Sequence, residues 1–354
     1  MPKILCVGTA LPPYRITQAQ AKKTYASLAQ DRKILRRHLS IFDHAGVSAR
    51  YACRPLSFYR KNHPFKERNE IFIHHALRLG RKAIGRCFAQ SRCRGEDIHH
   101  FFSTSTTGLA TPSLEARLAP MLELPSSIKR TPLFGTGCAS GVVCLARAME
   151  YLEARPKENA LILSVELCSL NFQNQDHSIQ NLVASAIFGD GAGAALVCGD
   201  QSSLLKNHPK GPRLIAGASH LYPNSLEMMG WNFSEDGMTV ILAAEVPKLV
   251  STTFRPLTEK FLKDHGLRCE DISLWLLHPG GLKVIEAYEK ALGITPEDTR
   301  YARRLLARYG NLSSASIFFI LSDAMRHARP KPGSYGLLVA MGPGFAAEFL
   351  LLQW

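Results

Sequence analysis

Apolar residues along this chain fall into two alternating patterns. Short, nearly unbroken runs at Ile4–Gly8, Ala160–Glu166, Ile272–Leu277, Tyr335–Met341 and Ala347–Leu352 predict strands buried on both faces. Between them, apolar positions recur at helical spacing. Val142, Val143, Leu145, Ala146, Met149 and Leu152 mark one helix, and Ile71, Ile73, Ala76, Leu77, Ala83 and Ile84 mark another over Glu70–Ala89. Helices are also predicted over the basic residues 17–40, over Leu114–Leu122, from near Val246-Pro247, over Leu282–Leu292 and over Leu312–Ala328. His100–Thr106 reads as a strand running into a Thr- and Gly-rich loop, Thr107–Pro112. Residues 50–68 read as irregular, and Ser185–Val197 as a helix end, a Gly-Asp-Gly turn and a strand. Strands alternating with helices give the α/β class.

Two stretches echo one another. A small-residue helix after Cys138 leads through Ala154-Arg155-Pro156-Lys157 to the strand at Ala160, and a similar helix after Asn311 leads through Ala328-Arg329-Pro330-Lys331 to the strand at Tyr335. Two copies of one βαβ-type unit would put the two helix N-termini in equivalent places, so that Cys138 and Asn311 converge. The polar, Gly- and Pro-containing residues 201–213 mark a seam. The expected organisation is therefore two halves, 1–205 and 206–354.

Composition narrows the partners. With 354 residues, 46% hydrophobic, the chain can bury a large core or two fused half-domains sharing one. A net charge of +14 points to nucleic acid or to a phosphate-bearing small substrate. The basic residues of the first third, such as Arg32, Lys33, Arg81 and Lys82, have no aromatic ladder among them, which disfavours nucleic acid. The nine cysteines include no Cys-x-x-Cys pair, and His74-His75 and His99-His100 are adjacent pairs that make poor metal sites. Reduced thiols in the cytoplasm and no metal site are expected. PKILCVGTALP reads as a first strand, not a secretory signal, and no apolar run is long enough to span a bilayer.

Candidate chemistry centres on Gly135-Thr136-Gly137-Cys138-Ala139-Ser140-Gly141. The tight entry places Cys138 in the first turn of a buried helix, where unpaired N–H groups and the positive end of the dipole favour a thiolate. His278 ends a buried strand before Pro-Gly-Gly, a corner where α/β folds collect functional groups. Asn311 follows Gly310 and opens a helix, a position that also suits a simple N-cap. A thiol, an imidazole and a carboxamide at glycine-marked termini form the set needed for acyl transfer through a thioester.

At these residues the sequence resembles the type III polyketide synthases, the chalcone synthase-like family of the thiolase superfamily. The carriers are GCASG around Cys138, FGDGAGAALV from Phe188, WLLHPGG from Trp275, YGNLSSAS from Tyr309 and MGPGFAAE from Met341. The resemblance implies a layered αβαβα fold of two duplicated halves, a homodimer, and acyl-CoA and malonyl-CoA as substrates with no metal or other cofactor. It implies that Cys138, paired as thiolate with a His278 imidazolium, carries the acyl chain, while His278 and Asn311 hold the thioester oxygen and the malonyl enolate. It also implies that Phe188 is a gatekeeper, that Gly342, Pro343 and Gly344 wall the cavity, and that Thr106 and Glu166 join a network influencing cyclisation. Asn171, Val240 and Ser313 shape the cavity, and Arg37 holds a CoA phosphate. Departures are Val240 and Asn171, where plant chalcone synthases carry phenylalanine and threonine, and Ser40 and His44 at two phosphate-binding positions, which brings Arg36 and Arg50 forward as substitutes. Because the Met229–Asn232 segment is similar to bacterial members, a fatty acyl starter and an alkylpyrone or alkylresorcinol product are expected. The competing readings are a malonyl-only or aromatic-starter synthase and a carrier-protein-dependent ketoacyl synthase III, although the latter typically shows His-Gln-Ala-Asn where this chain has His278-Pro279-Gly280-Gly281.

Overall fold

The computed structural model describes all residues except 29–37, 177, 208–210, 236 and 329. In chain order the elements are β1 (Lys3–Ala10), β2 (Tyr14–Thr17), α1 (Gln18–Leu28), α2 (Ile41–His44), β3 (Ala49–Ala52), α3 (Phe65–Ser91), β4 (His100–Thr104), α4 (Leu114–Leu118), β5 (Lys129–Leu133), α5 (Ser140–Ala154), β6 (Asn159–Leu167), α6 (Ile179–Ile187), β7 (Asp190–Cys198), β8 (Arg213–Leu221), β9 (Met229–Ser234), β10 (Gly237–Leu242), α7 (Val246–Lys263), β11 (Ile272–Leu277), α8 (Leu282–Leu292), α9 (Arg300–Tyr309), α10 (Ser316–His327), β12 (Tyr335–Gly342) and β13 (Ala346–Gln353).

Nine strands form one sheet in the order β11-β12-β13-β8-β1-β7-β6-β4-β5. The order is a near-palindrome about the β8/β1 seam. On each side an antiparallel strand, β7 or β13, is followed by β6 or β12 and then by a parallel neighbour, β4 or β11. The seam itself is narrow, with Lys3 opposite Arg213 and hydrogen bonds Ile4 N–H to Pro212 O and Leu214 N–H to Pro2 O, both 2.9 Å. This is a duplicated α/β fold.

Alternation along the buried strands makes the layers. Ala160 and Ile162 of β6, with Leu338 and Ala340 of β12, face a central core formed by α5 and α10. Leu161, Leu163 and Val165 face α3 on one outer side, and Leu337, Val339 and Met341 face α7 and α8 on the other. With the two halves of the nine-stranded sheet, divided at the β8/β1 seam, taken as two layers around the paired helices, this is the αβαβα arrangement. The central pair brings two helix N-termini to one place.

Several local expectations change. β8, α9 and the β9–β10 hairpin arise where no element was assigned. Asp190 and Gly191 lie inside β7, so the expected Gly-Asp-Gly turn is the start of a strand. The helix from Leu114 stops at Leu118, and α3 starts five residues earlier, at Phe65, than its apolar spacing suggests. Of the helix expected over 17–40, Gln18–Leu28 and His38 are helical and 39–40 form a turn, while 29–37 lie outside the described residues.

Candidate active site

The same local device precedes both central helices. Gly137–Ala139 forms a 3-10 turn leading into α5, and Ser313–Ala315 forms one leading into α10. The two turns pack together. A Cβ placed on Gly141 would lie 2.5 Å from the Ser314 carbonyl oxygen, so that glycine permits the approach. Gly137 has φ +49°, and a Cβ there would meet the Pro343 ring at 2.4 Å. The Cys138 turn is thus clamped against the Gly342-Pro343-Gly344 loop.

Cys138 is buried, at 7% exposure, and its Sγ donates to Ser313 Oγ at 3.5 Å. Ser313 Oγ in turn donates to Glu166 Oε1 at 3.4 Å. Ser313 sits at φ +49°, a left-handed conformation that a residue other than glycine rarely adopts. Glu166 is fully buried and collects donors from both halves. Its oxygens accept Thr106 N–H (3.1 Å), Thr106 Oγ1 (3.2 Å), Thr107 Oγ1 (2.8 Å) and Ser314 Oγ. Burial pushes its carboxyl up, against the pull of these bonds.

Asn311 performs two tasks. Its Oδ1 accepts Ser313 N–H at 2.8 Å, an Asx turn ahead of the helix and not the N-cap its position suggested, since Leu312 holds the N-cap position of the 3-10 turn and Ala315 that of α10. That bond fixes the amide, whose Nδ2 donates to Gly280 O at 3.3 Å in the loop just after His278. Its backbone bonds Ile187 O and Gly189 N–H, at 2.7 and 2.9 Å, which ties the second half to Phe188. His278 is held through its backbone N–H to Val339 O at 2.8 Å. Its ring is buried, and neither nitrogen has a hydrogen-bond partner among the described residues. Burial pushes the Cys138 thiol up to about 12 and the His278 imidazole down to about 3. Burial therefore favours the neutral form of each, where the resemblance implied a standing thiolate and imidazolium.

One cavity is lined by Cys138, Asn311, Ser313, Thr106, Asn171, Phe188, Val240 and Pro343. His278, Glu166, Gly342 and Gly344 are not in its wall; His278 approaches it through Gly280, Gly342 and Gly344 through Pro343, and Glu166 through Thr106 and Ser313. Asn171 is held by its Nδ2 bond to Thr107 O at 2.8 Å. Arg37, and Arg36 with it, lie outside the described residues. Arg50 lines the cavity, but both its terminal nitrogens are engaged within the chain. Its buried guanidinium donates to the carbonyl oxygens of Ser185, Ala186 and Phe188 at the end of α6 and to Gln18 Oε1. It caps a helix C-terminus.

The residue missed from sequence is Trp231. It lies directly across the hairpin from Val240, and both line the cavity. Val240, which stands where plant chalcone synthases carry phenylalanine, thus faces an indole on the neighbouring strand. The signal was present in Asp236-Gly237, a hairpin-turn dipeptide between two apolar runs. Among the described residues no group of three or more His, Cys, Asp or Glu could hold a metal ion, all nine cysteines are free thiols, and no helix is long and apolar enough to cross a membrane.

The comparisons with known proteins agree with this geometry. The model for the N-terminal domain of chalcone and stilbene synthases matches residues 1–201, and the model for their C-terminal domain matches residues 213–354. A 1,3,6,8-tetrahydroxynaphthalene synthase of Streptomyces peucetius is 39% identical over 356 residues, covering 99% of this chain and 93% of that protein. The alpha-pyrone synthesis polyketide synthase-like Pks18 of Mycobacterium tuberculosis is 30% identical over 354 residues, covering 98% and 90%. The crystal structure of the Streptomyces coelicolor tetrahydroxynaphthalene synthase superposes with a TM-score of 0.94 at 27% identity, covering 99% of both chains. The chain belongs to the chalcone and stilbene synthase family and is a type III polyketide synthase, an enzyme of the acyltransferase type.

Proposed function

We propose that this synthase loads a fatty acyl group from acyl-CoA onto Cys138, extends it repeatedly with malonyl-CoA, and closes the product to an alkylpyrone or alkylresorcinol. The observation that carries this reading is the cavity. Past Cys138 and Asn311 its wall is mainly apolar, with Ile16, Ala21, Phe42, Leu56, Phe172 and Leu242, which suits an alkyl chain. Val240, Asn171 and Phe188 shape its middle.

In this reading His278 takes the Cys138 proton as sulfur attacks the CoA thioester, and the proton leaves on the CoA thiol. The nucleophile is then a transient thiolate at a helix N-terminus. Malonyl-CoA enters and loses carbon dioxide, and its enolate oxygen is held by an N–H of His278 and by Asn311 Nδ2. The enolate carbon attacks the Cys138 thioester, and sulfur departs as the ketone forms. The lengthened chain returns to Cys138. Thr106, Ser313 and Glu166 bias how the final chain closes, and Arg37 holds a CoA phosphate.

A malonyl-only reading is favoured by one finding, the 39% identity to a tetrahydroxynaphthalene synthase. Mass spectrometry of products from malonyl-CoA with and without a panel of acyl-CoA starters decides between them. Condensed products that incorporate the acyl group are expected. A tetrahydroxynaphthalene from malonyl-CoA alone, with no acyl incorporation, would replace the fatty starter, and a requirement for acyl carrier protein would replace the CoA-dependent mechanism.

A further inference from the structure

The α1 side of the cavity contains a polar atom that the reaction described above leaves unused. Tyr25 stands on α1, is 5% exposed, and lines the cavity that Cys138 lines. Its ring is fixed between Phe42 and Phe172, with centroids 5.8 and 6.2 Å away. Its hydroxyl is buried and has no hydrogen-bond partner among the described residues. Asn181 is close enough to influence it, but no hydrogen bond between the two is complete, and the Asn181 amide Nδ2 is already committed to Gln173 O and Asp176 O at 2.8 and 2.7 Å. Tyr59, the other tyrosine of this region with a buried hydroxyl, is satisfied by Ser169 Oγ at 2.7 Å. Burial pushes the Tyr25 phenol up to about 12, so it stays a donor at neutral pH.

A buried hydroxyl without a partner costs free energy, and one held rigidly by two rings cannot swing to water. Thr24 and Asn181 also line the cavity, but among the described residues neither completes a hydrogen bond to the Tyr25 hydroxyl, so a ligand in the cavity can supply its partner. We propose that the α1 side of the cavity is a second recognition subsite, where the Tyr25 hydroxyl donates a hydrogen bond to an oxygen at the tail end of the acyl starter. The ligand class is an acyl-CoA whose alkyl chain ends in a hydroxyl group. Apolar walls accept the methylene chain, and the single donor at their end reads its tip. A site built around such a donor discriminates against the analogue that leaves it unpaired.

This subsite rests on the acyl-CoA synthase reading, and the test separates the two. Saturated and ω-hydroxy acyl-CoA starters of equal length are compared across a series of lengths by kcat/KM, with malonyl-CoA as extender and the whole chain as enzyme. The expected result is a preference for the hydroxylated starter at the length that reaches Tyr25, falling about tenfold in Tyr25→Phe, the change expected from one buried hydrogen bond. The ratio between the two starters is the readout, so a general loss of activity does not mimic it. A wild-type enzyme that condenses saturated starters with no hydroxyl preference at any length overturns the subsite while leaving the synthase reading intact. An unchanged ratio in Tyr25→Phe overturns it as well. No condensation with any acyl starter overturns both.

Discussion

At the scale of single residues, the site sets burial against helix polarity. Burial pushes the Cys138 thiol up and the His278 imidazole down, because each charge alone would lose its water. The N-terminal end of α5 opposes this by favouring a negative sulfur, and under the proposed mechanism proton transfer to the imidazole, which turns two lone charges into a pair, opposes it as well. If His278 makes the thiolate, removing it leaves burial opposed by the helix alone. Iodoacetamide labelling of Cys138, followed by intact mass against pH, is therefore expected to move to higher pH in His278→Ala. Superimposable profiles would remove His278 from the proton-accepting role. Asn311 makes a different prediction. Its amide is locked by the Ser313 N–H bond, so that under the proposed mechanism Nδ2 is the preset donor for an oxyanion. Asn311→Ala should still accept an acyl group on Cys138, while carbon dioxide release from malonyl-CoA falls about a hundredfold, the usual cost of one such donor. Normal decarboxylation in the variant would show that the amide holds the turn and nothing more.

At the scale of elements, the site is the meeting of two 3-10 turns at the heads of α5 and α10. Gly141→Ala would drive a Cβ to within 2.5 Å of Ser314 O and part the two heads. Overpacking of this kind costs about 1–3 kcal/mol, so the variant should fold with a lowered Tm and yet load little acyl group. Full loading with an unchanged Tm would mean that the close contact is dispensable. The apolar runs of β6, β11 and β12 and the repeated helix-turn-strand order made the fold class and the two helix heads legible, because buried strands and amphipathic helices write their period into the sequence. β8 was not legible, since Gly217, Ser219 and His220 break its apolar run. α9 was missed because Arg300, Arg303, Arg304 and Arg308 obscure the buried stripe of Tyr301, Ala302, Leu305 and Leu306. The Cys138–Ser313–Glu166 chain could not be read at all, because no local pattern records which side chains of two distant turns touch. The Trp231–Val240 pair lay one step beyond reach, for it needed the hairpin register. Trp231→Ala should open the cavity opposite Val240 and raise kcat/KM for longer starters relative to shorter ones. An unchanged length profile would place the size limit elsewhere.

At the scale of the whole molecule, the sheet ends at β5, and that end is unlike the other. Lys129, Arg130 and Pro132 are exposed along β5, which blunts strand-to-strand addition. Yet Phe134, immediately after it, is 52% exposed, and Leu109 and Met121 are exposed as well. Because Thr104 pairs with Leu133 in parallel register, Ser105 and Phe134 leave the sheet side by side. The loop that supplies Thr106 to Glu166 and the segment that enters the Cys138 turn therefore depart from the same corner. An apolar corner so close to the nucleophile fits a contact with a second copy of the chain, through side chains instead of backbone pairing. We expect the protein in solution to weigh twice the single chain by light scattering, and Phe134→Glu to shift it to the single mass. Since Phe134 is three residues from Gly137, separation should also lower acyl loading at Cys138 even where the melting transition survives. A variant that stays at the double mass would place the contact on another face. A wild-type protein of single mass at micromolar concentration would show that this corner needs no partner to hold the nucleophile turn.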